Sequence, residues 1–337
     1  MAELKTTVSV SLEPFKLERE FRVSHAVTSQ VHLLHLVLTG PDGSAGSGEI
    51  SADSAFDQNA ELIAQEARDI VEQGFSESEL SEVAEIEKAL GSWRGRVSGP
   101  ALLLAEMALL DRCARLRDES TWEVLRLPEP GKIQLLHTVP IGEDASVRQR
   151  PLKVKVGGAH DLEVIESLQG QAGPIMLDVN EGWDRDAWQK LSAAVQSLAP
   201  AVLEDPTKDE TLLEEIKESL PSTSIVLDES IHDQRDIERA LRIGVGANVK
   251  IMRMGGLFPA IQSLQRLRQN GRTSMLGSFL EPANAVAYAA QLNALADWTD
   301  LDGHFWISGD QPTMQYWLDS SRSGNPVIDY RKYEQHA

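Results

Sequence analysis

Cysteine is almost missing from this chain. Cys113 stands alone in 337 residues, so no internal disulfide can form. Its neighbours Leu109, Leu110 and Leu116 mark it as a core position. Nowhere do apolar residues run uninterrupted for the roughly 18 to 20 positions that a membrane-spanning helix needs. The start, Met1-Ala-Glu-Leu-Lys-Thr-Thr, lacks the basic stretch and apolar run of a secretory signal. A cytoplasmic protein with no membrane partner is expected. Basic residues are also scarce: 32 Lys and Arg face 52 Asp and Glu, for a net charge of −20. Phosphate backbones would be repelled, which excludes nucleic acid. The surplus acid serves solubility or a salty cytoplasm, or else it attracts a cation, either a metal or a positively charged substrate. Absent too are a Gly-x-Ser-x-Gly elbow, a Walker phosphate loop and a His-Glu-x-x-His pair. Gly244-Val-Gly246 lacks the remainder of a dinucleotide fingerprint. His32 and His35 sit in an apolar strand as packing residues, and Trp183, Trp188 and Trp306 are expected to pack as well.

A hydrophobic fraction of 42% and a charged fraction of 25% suit a globular chain with core enough for one large domain or two. The first forty residues have strand texture. Val8-Ser-Val-Ser-Leu12 alternates, Val31 to Leu38 is apolar, and Pro41-Asp-Gly signals a turn. Helical spacing follows at about Asn59 to Gln73, Glu79 to Leu90 and Pro100 to Asp118, the last with Ser98 placed to cap it. From Ile133 the pattern changes to short apolar strands alternating with helices. The strands fall at Ile133–His137, Leu152–Val156, Ile175–Val179, Ala201–Glu204, Ser224–Asp228, Ala247–Ile251, Thr273–Leu276 and Thr299–His304. Eight such units predict a parallel βα barrel. Only Gly142 to Pro151 separates the first two strands, so the first barrel helix is expected to be missing or reduced to a turn.

Functional side chains of such a barrel gather at the C-terminal ends of its strands. Here those ends carry Lys153 and Lys155, Asp178 and Asn180, Glu204, Asp228, Lys250, then Asp300 and Asp302. Steps of 23, 26, 24 and 22 residues separate Lys155, Asp178, Glu204, Asp228 and Lys250. Each is about one compact βα unit. Three carboxylates on adjacent strands form an oxygen cage for a hard divalent cation such as Mg²⁺, or alternatively pair with the lysines as structural ion pairs. Strand alternation puts Lys153 and Lys155 on one face. Two ammonium groups side by side are expected to lower each other's proton affinity, moving one towards general-base work. Lys250, three βα units further round, is expected roughly across the mouth. Bases on opposite faces of one carbon invert its configuration.

Lys153-Val-Lys155, Asp178-Val-Asn180, Glu204-Asp-Pro206, Asp228-Glu-Ser230 and Asn248-Val-Lys250 with Gly255-Gly256 resemble the muconate lactonizing subgroup of the enolase superfamily. The resemblance implies an α/β fold: a modified (β/α)₇β TIM barrel over 131–311, closed by an α+β capping domain of 1–130 that the tail 312–337 completes. It implies Asp178, Glu204 and Asp228 as Mg²⁺ ligands, Lys155 and Lys250 as the acid/base pair, and Lys153 as their electrostatic partner. Thr299-Asp-Leu-Asp-Gly303 resembles the Asp-x-Asp signature of dipeptide epimerases, in which two carboxylates hold the free ammonium of a dipeptide; otherwise it is a turn with a capping Asp. Gly277-Ser-Phe-Leu-Glu281 resembles their substrate loop, with Ser278 facing substrate. By the same resemblance Trp183 shapes the second βα loop.

The capping loops depart from relatives that act on Ala-Glu. Phe21 to Thr28 offers His25 and Thr28 where arginines are usual, and Gly48 to Phe56 offers Asp53, followed by Asp57, and no Arg. A neutral or cationic dipeptide is therefore expected, with Asp53 or Asp57 beside any basic side chain. The expected activity is a Mg²⁺-dependent dipeptide epimerase working through an enediolate. A cycloisomerase or o-succinylbenzoate synthase on the same scaffold is the alternative, and a metabolite-binding protein without catalysis is the third reading. A homo-oligomer stays open.

Overall fold

The computed structural model describes residues 6–22, 27–53, 58–74, 82–145, 151–308, 315–316 and 323–324. Strands β1 (Thr7–Arg22), β2 (Val27–Thr39) and β3 (Ala45–Ala52) form an antiparallel sheet in chain order. Leu34, Leu36 and Leu38 alternate along β2 and are fully buried. Helices α1 (Ala60–Gly74), α2 (Val83–Trp93), α3 (Gly99–Arg117) and α4 (Thr121–Val124) follow. Helix α3 is buried on all sides from Ala101 to Ala114, as a helix enclosed by other elements must be. Cys113 lies in this buried stretch, as its neighbours predict. Ser98 holds the N-cap position of α3 but does not cap it. Its hydroxyl instead donates to Glu66 Oε2 at 2.6 Å, a carboxylate being the stronger acceptor.

Strand β4 (Ile133–Gln134) pairs with β13 (Gln315–Tyr316) of the tail. The first barrel strand is β5 (His137–Val139), a few residues later than the apolar run suggests. It is followed by β6 (Leu152–Lys155), α5 (Asp161–Ser167), β7 (Ile175–Asp178), α6 (Arg185–Leu198), β8 (Val202–Glu204) and α7 (Glu210–Ser219). Then come β9 (Ser224–Leu227), α8 (Gln234–Ile243), β10 (Gly246–Lys250), the single turn α9 (Ile251–Met254) and α10 (Leu257–Gln269). The barrel ends with β11 (Ser274–Gly277), α11 (Ala283–Ala290), β12 (Trp298–Asp300) and α12 (Phe305–Ser308). The last strand is shorter than expected, because the chain turns into α12 after Asp302. Between β5 and β6 the described residues 141–145 contain no helix, and 146–150 lie outside the description.

The eight strands β5 to β12 pair in parallel in chain order. Leu136 N–H donates to Thr299 O at 3.0 Å and Leu135 bridges Thr299, which joins the first strand to the last and closes the ring. Met176, Val202, Val226 and Met275 pack together inside it with Leu136. This apolar plug explains where the charges go. Strand side chains two apart share a face, so Asp178, Glu204 and Asp228 stand on the plug residues Met176, Val202 and Val226. Among the described residues no helix is long and apolar enough to cross a membrane.

Candidate active site

Register aligns the polar layer. Lys155 pairs in sequence with Asp178, and Asp178 with Glu204, across β6, β7 and β8. Lys250 aligns with Gly277, and Gly277 with Asp300, across β10, β11 and β12. Lys155 on the second strand and Lys250 on the sixth are four strands apart in a ring of eight, one more than the spacing suggested, and so face each other across it. Both line one cavity, whose empty space, counted out to open solvent, is about 580 Å³. Lys153, Asn180, Asp228, Asp300, Asp302 and Ser278 line it as well, while Phe21, Phe279, Leu280 and Trp306 supply apolar wall. Phe21 and Trp306 meet edge-on with ring centres 4.9 Å apart.

The charges are tightly paired. Lys153 Nζ lies 3.0 Å from Asp178 Oδ2, 2.8 Å from Glu204 Oε2 and 2.6 Å from Asp300 Oδ2. Lys155 Nζ donates to Asp178 Oδ2 at 2.8 Å and to Asn180 Oδ1 at 3.1 Å. Lys250 Nζ donates to Asp228 Oδ2 at 2.6 Å. Burial alone would push the Lys153 ammonium down, but the carboxylates of Asp178, Asp300, Glu204 and Asp228 outweigh it and hold Lys153 well above its usual range. For Lys250, burial is likewise outweighed, chiefly by Asp228, and the value rises. Lowering by a neighbouring ammonium group, expected between Lys153 and Lys155, therefore does not govern Lys153; the acids packed against it do. Burial, opposed by Lys153 and reinforced by the neighbouring acids, pushes Glu204 up to about 8. In Asp178 burial is overcome by Lys153 and Lys155, and the carboxyl is held well below its usual range. Asp302 rises to about 6 through burial and the adjacent Asp300.

The donor set suits a divalent cation in part. Asp178 and Glu204 already converge on a positive charge, the Lys153 ammonium, which lies 2.8 Å from the buried Glu204 Oε2. Asp228, however, turns to Lys250 and to Arg253 Nη1, the latter at 3.0 Å. As arranged, no group of three acids among the described residues is gathered closely enough to hold a metal. For the three to act together on an ion, Asp228 would have to give up an ammonium for it.

Asp300 and Asp302 both line the cavity, as alternation predicts. Asp300 already accepts an ammonium, and Asp302 Oδ2 accepts Thr138 N–H at 3.1 Å. Asp53 is placed differently from the expectation. It is buried, accepts the Thr28 hydroxyl at 2.5 Å, and is not among the described residues lining the cavity. His25 and Asp57 lie outside the described residues.

Asn248, Asp205, Glu229 and Arg253, to which sequence reasoning assigns no role, hold this layer. Asn248 Nδ2 donates to Glu204 Oε1 at 2.9 Å. Asp205, with φ +42°, accepts the N–H groups of Asp228 and Glu229. Glu229 lines the cavity and receives Arg253 Nη2 at 2.7 Å and Asn180 Nδ2 at 3.2 Å. The only signal in the sequence was that Asp205, Glu229 and Asn248 stand next to, or two residues from, a strand-end acid or lysine. Trp183 donates Nε1 to Asp161 Oδ2 at 2.7 Å, and Asp161 also accepts Gly157 N–H and Gly158 N–H, so the second βα loop is tied as expected.

The enolase C-terminal domain-like family model matches residues 143–328. The chain is 26% identical to an L-Ala-D/L-amino acid epimerase of Pedosphaera parvula, over 88% of this chain and 90% of the relative. Its fold is similar to that of a muconate lactonizing enzyme from Pseudomonas fluorescens, solved with muconolactone (TM-score 0.80, 18% identity, 98% of each chain). It is equally similar to a dipeptide epimerase from Enterococcus faecalis, solved with Mg and L-Leu-L-Tyr (TM-score 0.80, 19% identity, 97% of this chain and 100% of that one).

Proposed function

Because the chain belongs to the enolase C-terminal domain-like family, we propose that it is a Mg²⁺-dependent isomerase that inverts the α-carbon of a dipeptide's C-terminal residue. The observation that carries this reading is the pair of lysines, Lys155 and Lys250, facing each other across one cavity from strands four apart. One amine takes the proton from one face of the carbon and the other returns a proton to the opposite face. Lys153 shares Asp178 with Lys155, and from there its charge offsets that of the substrate carboxylate. Asp300 and Asp302 receive the free ammonium; Asp300 shows its aptitude by accepting one already. Asp178, Glu204 and Asp228 would hold the Mg²⁺. When bound, the ion supplies a Lewis acid that neutralises charge building on the carboxylate. In this reading residues 1–130 and 312–337 close over the barrel of 131–311.

The apolar wall of Phe21, Phe279, Leu280 and Trp306 favours a neutral, apolar side chain over a cationic one, since Asp53 is engaged by Thr28. The dipeptide bound to the Enterococcus faecalis enzyme, L-Leu-L-Tyr, likewise has no cationic side chain. Muconate-type substrates lack an ammonium and would leave Asp300 and Asp302 without a counter-charge.

The test is incubation in D₂O with Mg²⁺ and a dipeptide library, followed by mass and chiral analysis. Deuterium entering dipeptides, with inversion, is expected. Turnover of a muconate or a succinyl cyclohexadiene acid, with no dipeptide exchange, would replace this reading by the cycloisomerase or lyase one. Silence with every substrate would leave only a binding role.

A further inference from the structure

Glu106 is a fully buried acid on α3 that plays no part in the chemistry above. Its Oε1 accepts the N–H of Leu257, the first residue of α10, and the Tyr288 hydroxyl at 3.2 Å. Helix α10 has no side-chain cap of its own: its N-cap is Gly256. The orphan amides of its first turn are met by a carboxylate from a distant helix. The fit is close. Gly256 has φ +122°, and a Cβ there would fall 2.2 Å from Glu106 Oε2. Arg94 grips the same turn, donating to the carbonyls of Met254 at 3.1 Å and Gly255 at 3.3 Å.

Only the four residues of α9 separate Lys250 from this clamped turn. A one-turn helix has little stability of its own, so its orientation is set by what grips it. Lys155 is supported differently. The loop behind it is tied within the barrel, by Asp161 to Gly157, Gly158 and Trp183. The two lysines therefore answer to different parts of the chain.

We propose that Glu106, assisted by Arg94, is a positioning residue for Lys250: α3 holds the turn after β10 and thereby sets the angle at which that one amine meets the substrate carbon. This rests on the two-lysine reading above. The experiment follows deuterium entering the recovered starting epimer, which reports each lysine separately. The epimer served by Lys250 is identified with Lys250→Ala. In Glu106→Ala, exchange into that epimer should fall at least about tenfold, exchange into the other should hold within about twofold, and inversion should fall equally in both directions. Glu106→Gln keeps the acceptor for Leu257 and should restore the lost exchange. Arg94→Ala, which is less buried and safer for folding, should show the same asymmetry more weakly. Equal loss into both epimers, or loss into neither, overturns the proposal.

A second readout needs no substrate. In ¹⁵N-lysine-labelled protein the Nζ resonance of Lys250 should shift in Glu106→Ala and return in Glu106→Gln, while that of Lys155 stays. An unmoved Lys250 resonance overturns the positioning role even if the wild-type protein acts on no dipeptide. In that case the proposed function fails separately.

Discussion

Asn248 donates its side-chain amide to Glu204 Oε1 across 2.9 Å, spanning β9, with both residues buried. Gly277 makes room for it: a Cβ there would lie 2.4 Å from Asn248 Oδ1. The contact fixes one oxygen of Glu204 and leaves the other for a cation. Asn248→Leu should therefore weaken Mg²⁺ binding by about 10- to 100-fold, the usual effect of losing a partner behind a metal ligand. Titration calorimetry checks this, and an unchanged affinity would count against Glu204 as a ligand.

In the proposed function Asp302 supplies half of the anionic pair for the substrate amine. Asp302→Asn should raise KM for free dipeptides at least about tenfold, because a buried ammonium loses a charged acceptor. N-acetylated dipeptides, which lack that charge, should be poor substrates of the wild type. Steady-state kinetics on the free and acetylated forms of one dipeptide decide it. Equal use of the two forms would remove Asp300 and Asp302 from substrate binding.

Trp306 and Phe21 close the apolar wall edge-to-face. Trp306→Ala should lower kcat/KM for a leucine-containing dipeptide by about tenfold or more, corresponding to about 1.5 kcal/mol of lost apolar contact. Ala-Ala reaches less of that wall and should lose markedly less. Parallel losses on both substrates would place Trp306 in folding rather than selectivity.

Stability should fall as pH rises through neutrality. Burial, opposed by Arg94 and by bonds from Leu257, Phe258 and Tyr288, pushes Glu106 up to about 7 from 4.5. The folded state then binds this proton more tightly than the unfolded chain. Its contribution is complete below pH 4.5 and is lost progressively until pH passes about 7, on the order of 3 kcal/mol. Glu281, also pushed up to about 7 by burial, acts in the same sense. Urea unfolding of Glu106→Gln should show a shallower decline between pH 5 and 8 than the wild type. An identical slope would mean that Glu106 does not titrate there.

The barrel was legible because its signals are local. Short apolar strands ended in a charged residue at near-constant intervals, and Lys155, Asp178, Glu204, Asp228 and Lys250 lie where that rhythm puts them. What escaped was non-local. Nothing near Ser98 reveals that Glu66, far back in the chain, will take its hydroxyl. Asp53 looks like an exposed loop acid until Thr28, across the sheet, claims it. The lowered proton affinity expected at Lys153 fails for the same reason. Sequence shows which charges are adjacent along a strand, while the field at each amine comes mainly from acids on other strands. Strand order puts four intervals between Lys155 and Lys250 rather than three, and the two strands still lie across the ring from each other.

Lys153 joins Asp178, Glu204 and Asp300 through a single nitrogen. A barrel whose centre carries such a built-in counterion does not need a guest to hold its walls together. Stripping divalent ions with a chelator would then idle the chemistry while leaving the scaffold standing, unlike small domains that unravel once their metal is gone.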